Sequence, residues 1–251
     1  MIPADVQFRQ AANAAAAAFA QAPPYLVYRT KVVVDVPSLR RHKTIERAVE
    51  TRTADDFAVL QDLPHGQRQY AHSFPVIPTF DALSYFRLDF NGSQRDTLSF
   101  VHDVTPITFT DPRATSHADV VVTSLRNYRA SYAADSTEQL AHIAMEALPA
   151  LTRGNDSTFY LHDLYVDTAT NLPTQVSYTG PTASFTCDYT TVEGHWLIRH
   201  AVYTQVFFGP LHMGRVTATA ATTNSDFAFP ATPSDARLAG PPPATPPPLK
   251  K

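Results

Sequence analysis

Histidine and carboxylate side chains are the groups in this chain whose types suit metal binding or acid–base chemistry. The sequence holds ten histidines, and His142 and Glu146 are four residues apart, a spacing that shares one face on a helix and also on a strand. A catalytic zinc ion needs three converging ligands, and no second histidine lies at a matching spacing. His195 and His200 are expected on opposite faces of one strand, so they cannot chelate one ion together. We therefore predict polar or solvated histidines and no metal site.

The usual sequence signatures of enzymes are missing. The chain holds no Gly-x-Ser-x-Gly turn of the kind that exposes a hydrolase nucleophile. Its eight glycines mostly mark turns, and no glycine-rich loop opens a helix, which excludes phosphate-cradling nucleotide folds. The acid pair Asp55-Asp56 lies in an expected loop, whereas a glycosidase needs two acids converging across a cleft. We expect a protein that is not an enzyme and uses no cofactor; a hydrolase with an unrecognised site is the third hypothesis.

The composition excludes further classes of function. The formal net charge is −3 and the pI about 6.3, so no strong positive field attracts nucleic acid. No stretch reaches the roughly 18 apolar residues of a membrane-spanning helix, so we do not expect an integral membrane protein. The single cysteine, Cys187, excludes an internal disulfide, and its place among inward-pointing residues predicts a buried, inert thiol.

Residues 159 to 230 show the clearest structural pattern, an alternation of apolar and polar side chains with a period of two. Such alternation is typical of a strand with one dry face and one wet face. In the first run the apolar side is Ala183, Phe185, Cys187 and Tyr189, and in the next run, on the other parity, it is Trp196, Ile198, Val202, Val206 and Phe208. Turn residues separate the runs. The pattern predicts a large, strongly curved antiparallel sheet with a hydrophobic concave face.

The part of the sequence before residue 159 predicts a helix followed by strands. Alanine favours helix from about Asp5 to Ala22, and Pro23-Pro24 ends it. β-Branched and aromatic residues predict a strand from Tyr25 to Val36, and residues 37 to 43 form a basic loop. Further strands are expected at 44–53, 57–60, 67–73, 98–109 and 120–132. Residues 136 to 148 fit a helix by capping and a strand by alternation, and the choice stays open.

Two segments stand apart from this pattern. Residues 74 to 90 combine crowded aromatic side chains with Pro75 and Pro78, and Thr79 or Asp81 could cap a short helix there. The segment is either a short lid over the concave face or an ordinary corner of the core. From residue 240 the chain is proline-rich and predicts an extended, disordered tail.

The turn after residue 164 carries a family resemblance. The residues Leu164-Tyr165-Val166-Asp167, then Thr170, Leu172-Pro173 and Val176 resemble the central signature of outer-membrane lipoprotein-sorting (LolA-like) proteins. Phe185, Tyr189, Val192-Glu193-Gly194 and Trp196 resemble the next hairpin of that family, and Ser225-Asp226-Phe227 with Phe229 its closing strand. The resemblance covers residues 159 to 230 and, loosely, the order of N-terminal helix and strand.

The resemblance implies a mainly β protein: an unclosed antiparallel β-barrel, wet outside and apolar inside, whose mouth is covered by helices. Similar proteins carry the acyl chains of lipoproteins or other lipids across the periplasm, or sense them. A charged contact of the lid holds the closed state in that family, and Arg87 is the candidate for it here. Implied partners are a lipid or an acylated protein, and a membrane-bound donor or acceptor protein would complete such a delivery. The expected localisation is periplasmic or otherwise extracytoplasmic, with the signal segment absent from this sequence.

An incomplete barrel leaves apolar surface that helices or a ligand must cover. The residues expected to bind the ligand are Tyr28, Phe80, Phe86, Tyr178, Phe185, Tyr189, Trp196 and Val202. The alternative is that they pack on the N-terminal helix and the lid, which makes the chain a protein-interaction or sensor domain with a filled interior. The expected division is a helix over 1–24, a half-barrel domain over 25–235 and a disordered tail over 236–251.

Overall fold

The computed structural model describes residues 1–54, 57–72, 85–87, 99–101, 128–148, 160–179, 183–208 and 214–240. Helix α1 spans Ala4–Ala20 and is followed by strand β1, Tyr25–Val36. The remaining strands are β2 (Arg41–Arg52), β3 (Phe57–Asp62), β4 (Arg68–His72), β5 (Tyr85–Arg87), β6 (Ser99–Val101), β7 (Tyr128–Tyr132), β8 (Leu140–Ala147), β9 (Tyr160–Asp167), β10 (Pro173–Thr179), β11 (Ala183–Val192), β12 (His195–Phe208) and β13 (Arg215–Ala228). A short helix, α2, spans Ala236–Ala239.

Eleven of the strands form one antiparallel sheet with the order β4-β3-β2-β1-β13-β12-β11-β10-β9-β8-β7. Strands that follow one another along the chain are neighbours within β1 to β4 and within β7 to β13. The two groups are joined because the first strand, β1, pairs with the last, β13. Among the described residues, β4 and β7 each have one strand neighbour, so the sheet is unclosed between them. β5 and β6 form a separate two-stranded sheet. The predicted mainly β fold with an unclosed, curved antiparallel sheet and an N-terminal helix is confirmed.

Most predicted elements lie where the sequence patterns placed them. β1 begins and ends at the predicted residues, and α1 ends two residues before the prediction. The open segment 136–148 contains strand β8, with Ala141, Ile143 and Met145 buried on one side. Sheet pairing outweighs the local helix propensity, because β9 pairs with the first half of β8 and β7 with its second half, and both supply backbone hydrogen-bond partners.

The basic loop predicted at 37–43 is shorter than expected. Pro37–Leu39 form one turn of 3-10 helix, and Arg40 adopts a left-handed conformation with φ of 48°. β2 then begins at Arg41 and pairs with β1 up to Val36, so the tight turn leaves Arg41 to Lys43 in the strand.

Two regions of the sequence fall largely outside the described residues. Within the expected lid at 74–90, the structure describes only Tyr85–Arg87, the strand β5. Of the strands expected at 98–109 and 120–132, it describes β6 and β7. The predicted tail from residue 236 starts too early, because α2 docks by its fully buried Leu238 against the β1–β3 region.

Candidate functional site: the inner face of the sheet

Helix α1 lies on one face of the sheet, which we call the inner face. Four of its side chains, Phe8, Ala11, Ala12 and Ala15, are buried in a cluster with inward-pointing residues of β7 to β13. We call this set the helix cluster. Three of these four side chains are alanines, each of which buries a single methyl group, and Phe8 adds a larger buried ring.

The helix cluster contains four of the residues expected to bind a ligand. Tyr178, Phe185 and Trp196 are buried within it, and Tyr189 packs against its edge. Tyr28 belongs to a second buried set on the inner face, the β1–β3 cluster, whose other members are Leu26, Val49, Ala58, Leu60 and Leu197. Four of these aromatic residues therefore lie at one cluster and Tyr28 lies in another, and whether any of them touches a ligand stays a prediction.

The predicted site also included Phe80 and Phe86. Phe80 is outside the described residues. Phe86 lies in β5, where its backbone pairs with Phe100 in the two-stranded sheet.

Val202 lies on the opposite face from Trp196, so the prediction that they share a side was wrong. The cause is a β-bulge: Asp188 pairs with His200 but Tyr189 pairs with Ile198, which leaves Arg199 as an extra residue. One extra residue exchanges the faces of every position beyond it. Ala201 and Tyr203 consequently continue the inner face.

The bulge lies between the two histidines of β12, so simple alternation does not relate their faces. His195 pairs with Val192 and His200 pairs with Asp188. His200 Nδ1 lies 3.1 Å from Asp188 Oδ2. The His195 ring packs on the Phe229 ring, with ring centroids 4.5 Å apart. The two therefore take part in separate contacts.

The turn between β9 and β10, residues 167 to 173, is closed by its own polar groups. Asp167 Oδ1 accepts a 2.8 Å hydrogen bond from the Ala169 amide, and Thr170 Oγ1 accepts one of 3.2 Å from the Leu172 amide. Asn171 supplies the left-handed conformation that reverses the chain, with φ of 59°. Trp196 Nε1 donates a 2.9 Å hydrogen bond to the Pro173 carbonyl and so fixes the turn to β12.

Helix α1 is held to the sheet by two polar contacts in addition to its apolar face. Gln7 is 5% exposed and donates a 2.9 Å hydrogen bond from Nε2 to Asn171 Oδ1 in the β9–β10 turn. Tyr132 of β7 donates a 2.8 Å hydrogen bond to the Ile2 carbonyl. The helix is thus fastened near its N-terminal end, at both the edge strand and the motif turn.

Between the two apolar clusters, the inner face carries a short polar seam. Thr30 pairs with Asn224, and Val32 pairs with Thr222, so both threonines and the asparagine point inward. Asn224 Nδ2 donates a 3.1 Å hydrogen bond to the Ile198 carbonyl. The Thr222 hydroxyl is buried and has no hydrogen-bond partner among the residues the structure describes. A buried polar group left unpaired costs about 1–3 kcal/mol.

A chain of acidic and histidine side chains crosses the outer face of β8 and β9. His142 Nδ1 lies 2.5 Å from Asp135 Oδ1, and His142 Nε2 lies 2.8 Å from Asp163 Oδ1. Asp163 Oδ2 contacts His162 Nδ1 at 2.5 Å. The His142 ring also stacks on Tyr165 with centroids 4.0 Å apart. His142 therefore bridges the β7–β8 connection to β9, a role that sequence analysis did not assign to it.

The hydrogen bonds and charges among these acidic and histidine side chains shift the pKa values of His142 and Asp163 in opposite directions. Burial lowers the pKa of His142, but its hydrogen bonds to Asp163 and Asp135 outweigh burial and raise the pKa above the ordinary value. Burial raises the pKa of Asp163, but hydrogen bonds from His142 and His162 lower it below the ordinary value. Both shifts favour an imidazolium between two carboxylates.

The described residues offer little for nucleophilic or metal chemistry. Cys187 is buried, and burial raises the pKa of its thiol far above the usual range, which keeps it protonated. In the part of the chain that the structure describes, no three His, Cys, Asp or Glu side chains converge on a metal position. No helix within the described ranges is long and apolar enough to cross a membrane.

Neither a protein-family model nor a curated protein matches the sequence. Similar solved structures include a DUF1329 family protein from Desulfovibrio piger, at 9% identity and a TM-score of 0.44, covering 95% of this chain and 98% of that one. A LolA superfamily protein from Nitrosomonas europaea is similar at 10% identity and a TM-score of 0.38, covering 93% and 96%. An outer membrane lipoprotein-sorting protein domain from Vibrio parahaemolyticus is similar at 10% identity and a TM-score of 0.40, covering 92% and 97%.

The family that the β9–β10 motif suggested therefore recurs among similar solved structures.

Proposed function

We propose that this protein is a non-enzymatic, extracytoplasmic carrier or binder of a lipid or a lipidated protein. The observation that supports the proposal is the inner face of the sheet, an apolar surface covered by an alanine-rich helix. Tyr178, Phe185 and Trp196 supply broad aromatic walls on that face. Binding would come from burying acyl methylene groups, each worth about 0.8 kcal/mol.

Helix α1 is suited to give way to such a ligand. Its buried alanines each contribute little apolar area, so an acyl chain lying in the same place would offset the burial lost at Ala11, Ala12 and Ala15, and Phe8 is the larger apolar group that it would also have to replace. Its polar fastenings, Gln7 to Asn171 and Tyr132 to Ile2, are single hydrogen bonds, each with a net value of about 0.5–1.5 kcal/mol. We infer that ligand entry moves α1, and that residues 1–24 act as a unit separate from the half-barrel over residues 25–235.

The experiment that tests this proposal is native mass spectrometry of the protein purified from cells without detergent, followed by lipid extraction. A co-purifying lipid in near-stoichiometric amount supports the carrier function and identifies the class of cargo. A mass that stays unliganded after incubation with phospholipid and with an acylated peptide contradicts it.

A second function is favoured by the extent of burial on the inner face. Leu164 and Val176 are fully buried and Phe185 is 4% exposed, so side chains already fill this part of the interior. A filled interior suits a protein-interaction or sensor domain that uses its outer surface. Under this alternative, α1 stays in place when a partner binds, and hydrogen exchange of its amides is unchanged by lipid.

A further inference from the structure

The end of the sheet where β1 turns into β2 concentrates positive charge. Exposed basic side chains lie there, three from the turn and the start of β2 and one from the start of β13: Arg40, Arg41, Lys43 and Arg215. We call this set the basic end. Leu39 packs there against buried Val36 and Val216, which brings the β1–β2 turn against the start of β13.

Acidic side chains balance little of this charge. In the described segments that pair at this end, residues 33–44, 204–208 and 215–219, the only carboxylate is that of Asp35, whose Oδ1 lies 3.8 Å from His42 Nδ1. Four basic groups and one acidic group give this end a formal charge of +3 with histidine neutral, whereas the whole chain has −3. The positive potential of the protein is therefore concentrated at one end of the sheet.

The basic side chains of this end lie on both faces of the sheet. Arg41 pairs with Val36, which is buried on the inner face, so Arg41 lies on that face. Arg215 precedes Val216, which is buried on the same inner face, so Arg215 lies on the outer face. Side chains on opposite faces cannot converge on one small anion, but they can together contact a plane of negative charge placed against the strand ends.

We propose that the basic end docks the protein on an anionic lipid bilayer, with the strand ends of β1, β2 and β13 facing the headgroups. The choice of a membrane rests on the lipid-binding function proposed above, because a carrier must reach the bilayer that supplies or receives its cargo. Each arginine or lysine near an anionic bilayer strengthens binding by about fivefold. A few such contacts give weak, salt-sensitive binding, which lets the protein leave the membrane with its cargo.

Co-sedimentation with vesicles tests the proposal, using phosphatidylcholine alone and phosphatidylcholine with about a third of phosphatidylglycerol. The wild type should bind only the anionic vesicles at about 0.1 M salt and should dissociate from them at about 0.5 M. The double variant Arg41→Gln, Arg215→Gln should bind about ten- to thirtyfold more weakly, because the basic end loses two charges. Both arginines are exposed and form no ion pair among the described residues, so this variant should fold as the wild type does.

The double variant Arg29→Gln, Arg199→Gln is the matched control. It changes the net charge of the protein by the same amount, and both side chains are exposed. Arg29 in β1 and Arg199 in β12 lie about 20–30 Å along their strands from the basic end. This variant should bind anionic vesicles nearly as tightly as the wild type.

The outcomes separate membrane docking from lipid carriage. Equal binding by the two double variants, or wild-type binding to neutral vesicles, overturns the role of the basic end. A wild type that binds polyglutamate-coated beads and no vesicles overturns the membrane as partner and indicates an acidic protein instead. Binding of a fluorescent acyl probe is measured separately on the same proteins. A wild type that binds the probe but not anionic vesicles overturns docking alone, and one that binds anionic vesicles but not the probe overturns the carrier function alone.

Discussion

The indole nitrogen of Trp196 donates a 2.9 Å hydrogen bond to the carbonyl oxygen of Pro173, two strands away across the sheet. Trp196 is 5% exposed, and its ring contacts the Tyr189 ring with centroids 4.7 Å apart. Pro173 begins β10 directly after the turn that carries the family-like motif. The tryptophan thus joins two segments of sequence that the resemblance had paired only by their residue types.

Replacing Trp196 by phenylalanine should lower the free energy of unfolding by about 1–3 kcal/mol, because the buried hydrogen bond and part of the ring volume are lost. Urea denaturation measures the change. Tyr189→Phe serves as the control, since it keeps the ring contact and removes only a hydroxyl. A cost for Trp196→Phe no greater than that of the control would contradict a structural role for the indole hydrogen bond.

Asn171 fastens helix α1 to the β9–β10 turn, and its substitution should loosen the helix. Glycine adopts the left-handed conformation at this position without strain, so Asn171→Gly mainly removes the acceptor for Gln7. The buried Gln7 amide is then left without that partner, a cost of about 1–3 kcal/mol. Hydrogen exchange should speed up at the amides of residues 8 to 15. Asn171→Asp retains an acceptor oxygen, and exchange as fast in that variant would show that the hydrogen bond does not hold α1.

The sequence predicted the elements whose pattern is strictly local. β1 is rich in β-branched and aromatic residues, and its ends coincide with Pro24 on one side and Pro37 on the other. The turn at Glu193-Gly194 was likewise predictable from the sequence. Both residues adopt positive φ, a conformation for which glycine is suited and which its presence indicates. In such segments the backbone conformation follows from the residues themselves, so one sequence suffices.

Features that depend on strand register were not predictable. The bulge at Arg199 has no compositional signal, yet it places Val202 on the outer face. His142 and Asp163 meet because Ala144 pairs with Asp163 and Ile143 with Leu164 across β8 and β9. Alternation shows which residues share a face only where a strand has no bulge, and only the register brings residues of two strands into contact.

The His142 contacts should make stability depend on pH in a defined direction. The pKa of His142 is raised in the folded state, so its stabilising contribution is complete below about pH 6.5 and is lost as the pH rises through the raised value. The pKa of Asp163 is lowered, so its contribution is complete above about pH 3.8 and is lost as the pH falls through the lowered value. This network is therefore most stabilising between these two limits.

Urea midpoints measured between pH 5 and pH 9 test the histidine part of this prediction. The wild type should lose stability on the alkaline side more steeply than His142→Gln, which has no imidazole to deprotonate. Arg129→Gln is the control, because it breaks the exposed 3.1 Å ion pair with Glu146 between the same strand pair, β7 and β8, and leaves His142 intact. Parallel curves for the wild type and His142→Gln would show that the network does not contribute to the pH dependence.

Glu50 holds the C-terminal segment against the sheet. Its Oε1 accepts a 2.6 Å hydrogen bond from the Ser234 amide, while Leu238 is buried against Val59. Glu50→Ala should release helix α2 and expose the bond after Arg237 to trypsin. Loss of about 1–2 kcal/mol of local stability corresponds to about five- to thirtyfold faster cleavage.

Glu46→Ala is the matched control for this experiment, because Glu46 lies on the same strand and forms an exposed 3.3 Å ion pair with Lys31. Its cleavage rate after Arg237 should equal that of the wild type. Equal rates in Glu50→Ala and Glu46→Ala would mean that Glu50 does not hold the segment, which is then anchored by contacts such as buried Leu238 and the Arg52 hydrogen bond to the Leu238 carbonyl.

Phe185 and Val202 lie on opposite faces of neighbouring strands, and substitution by glutamate should separate their roles. Phe185 is 4% exposed within the helix cluster, so Phe185→Glu buries an uncompensated charge and should abolish acyl binding or folding. Val202 is half-buried on the outer face opposite Thr186, where a carboxylate reaches water, so Val202→Glu should fold and bind an acyl probe as the wild type does. Circular dichroism and probe binding measure both. Full binding by Phe185→Glu would exclude the inner face as the ligand site, and loss of binding in a folded Val202→Glu would place the ligand on the outer face.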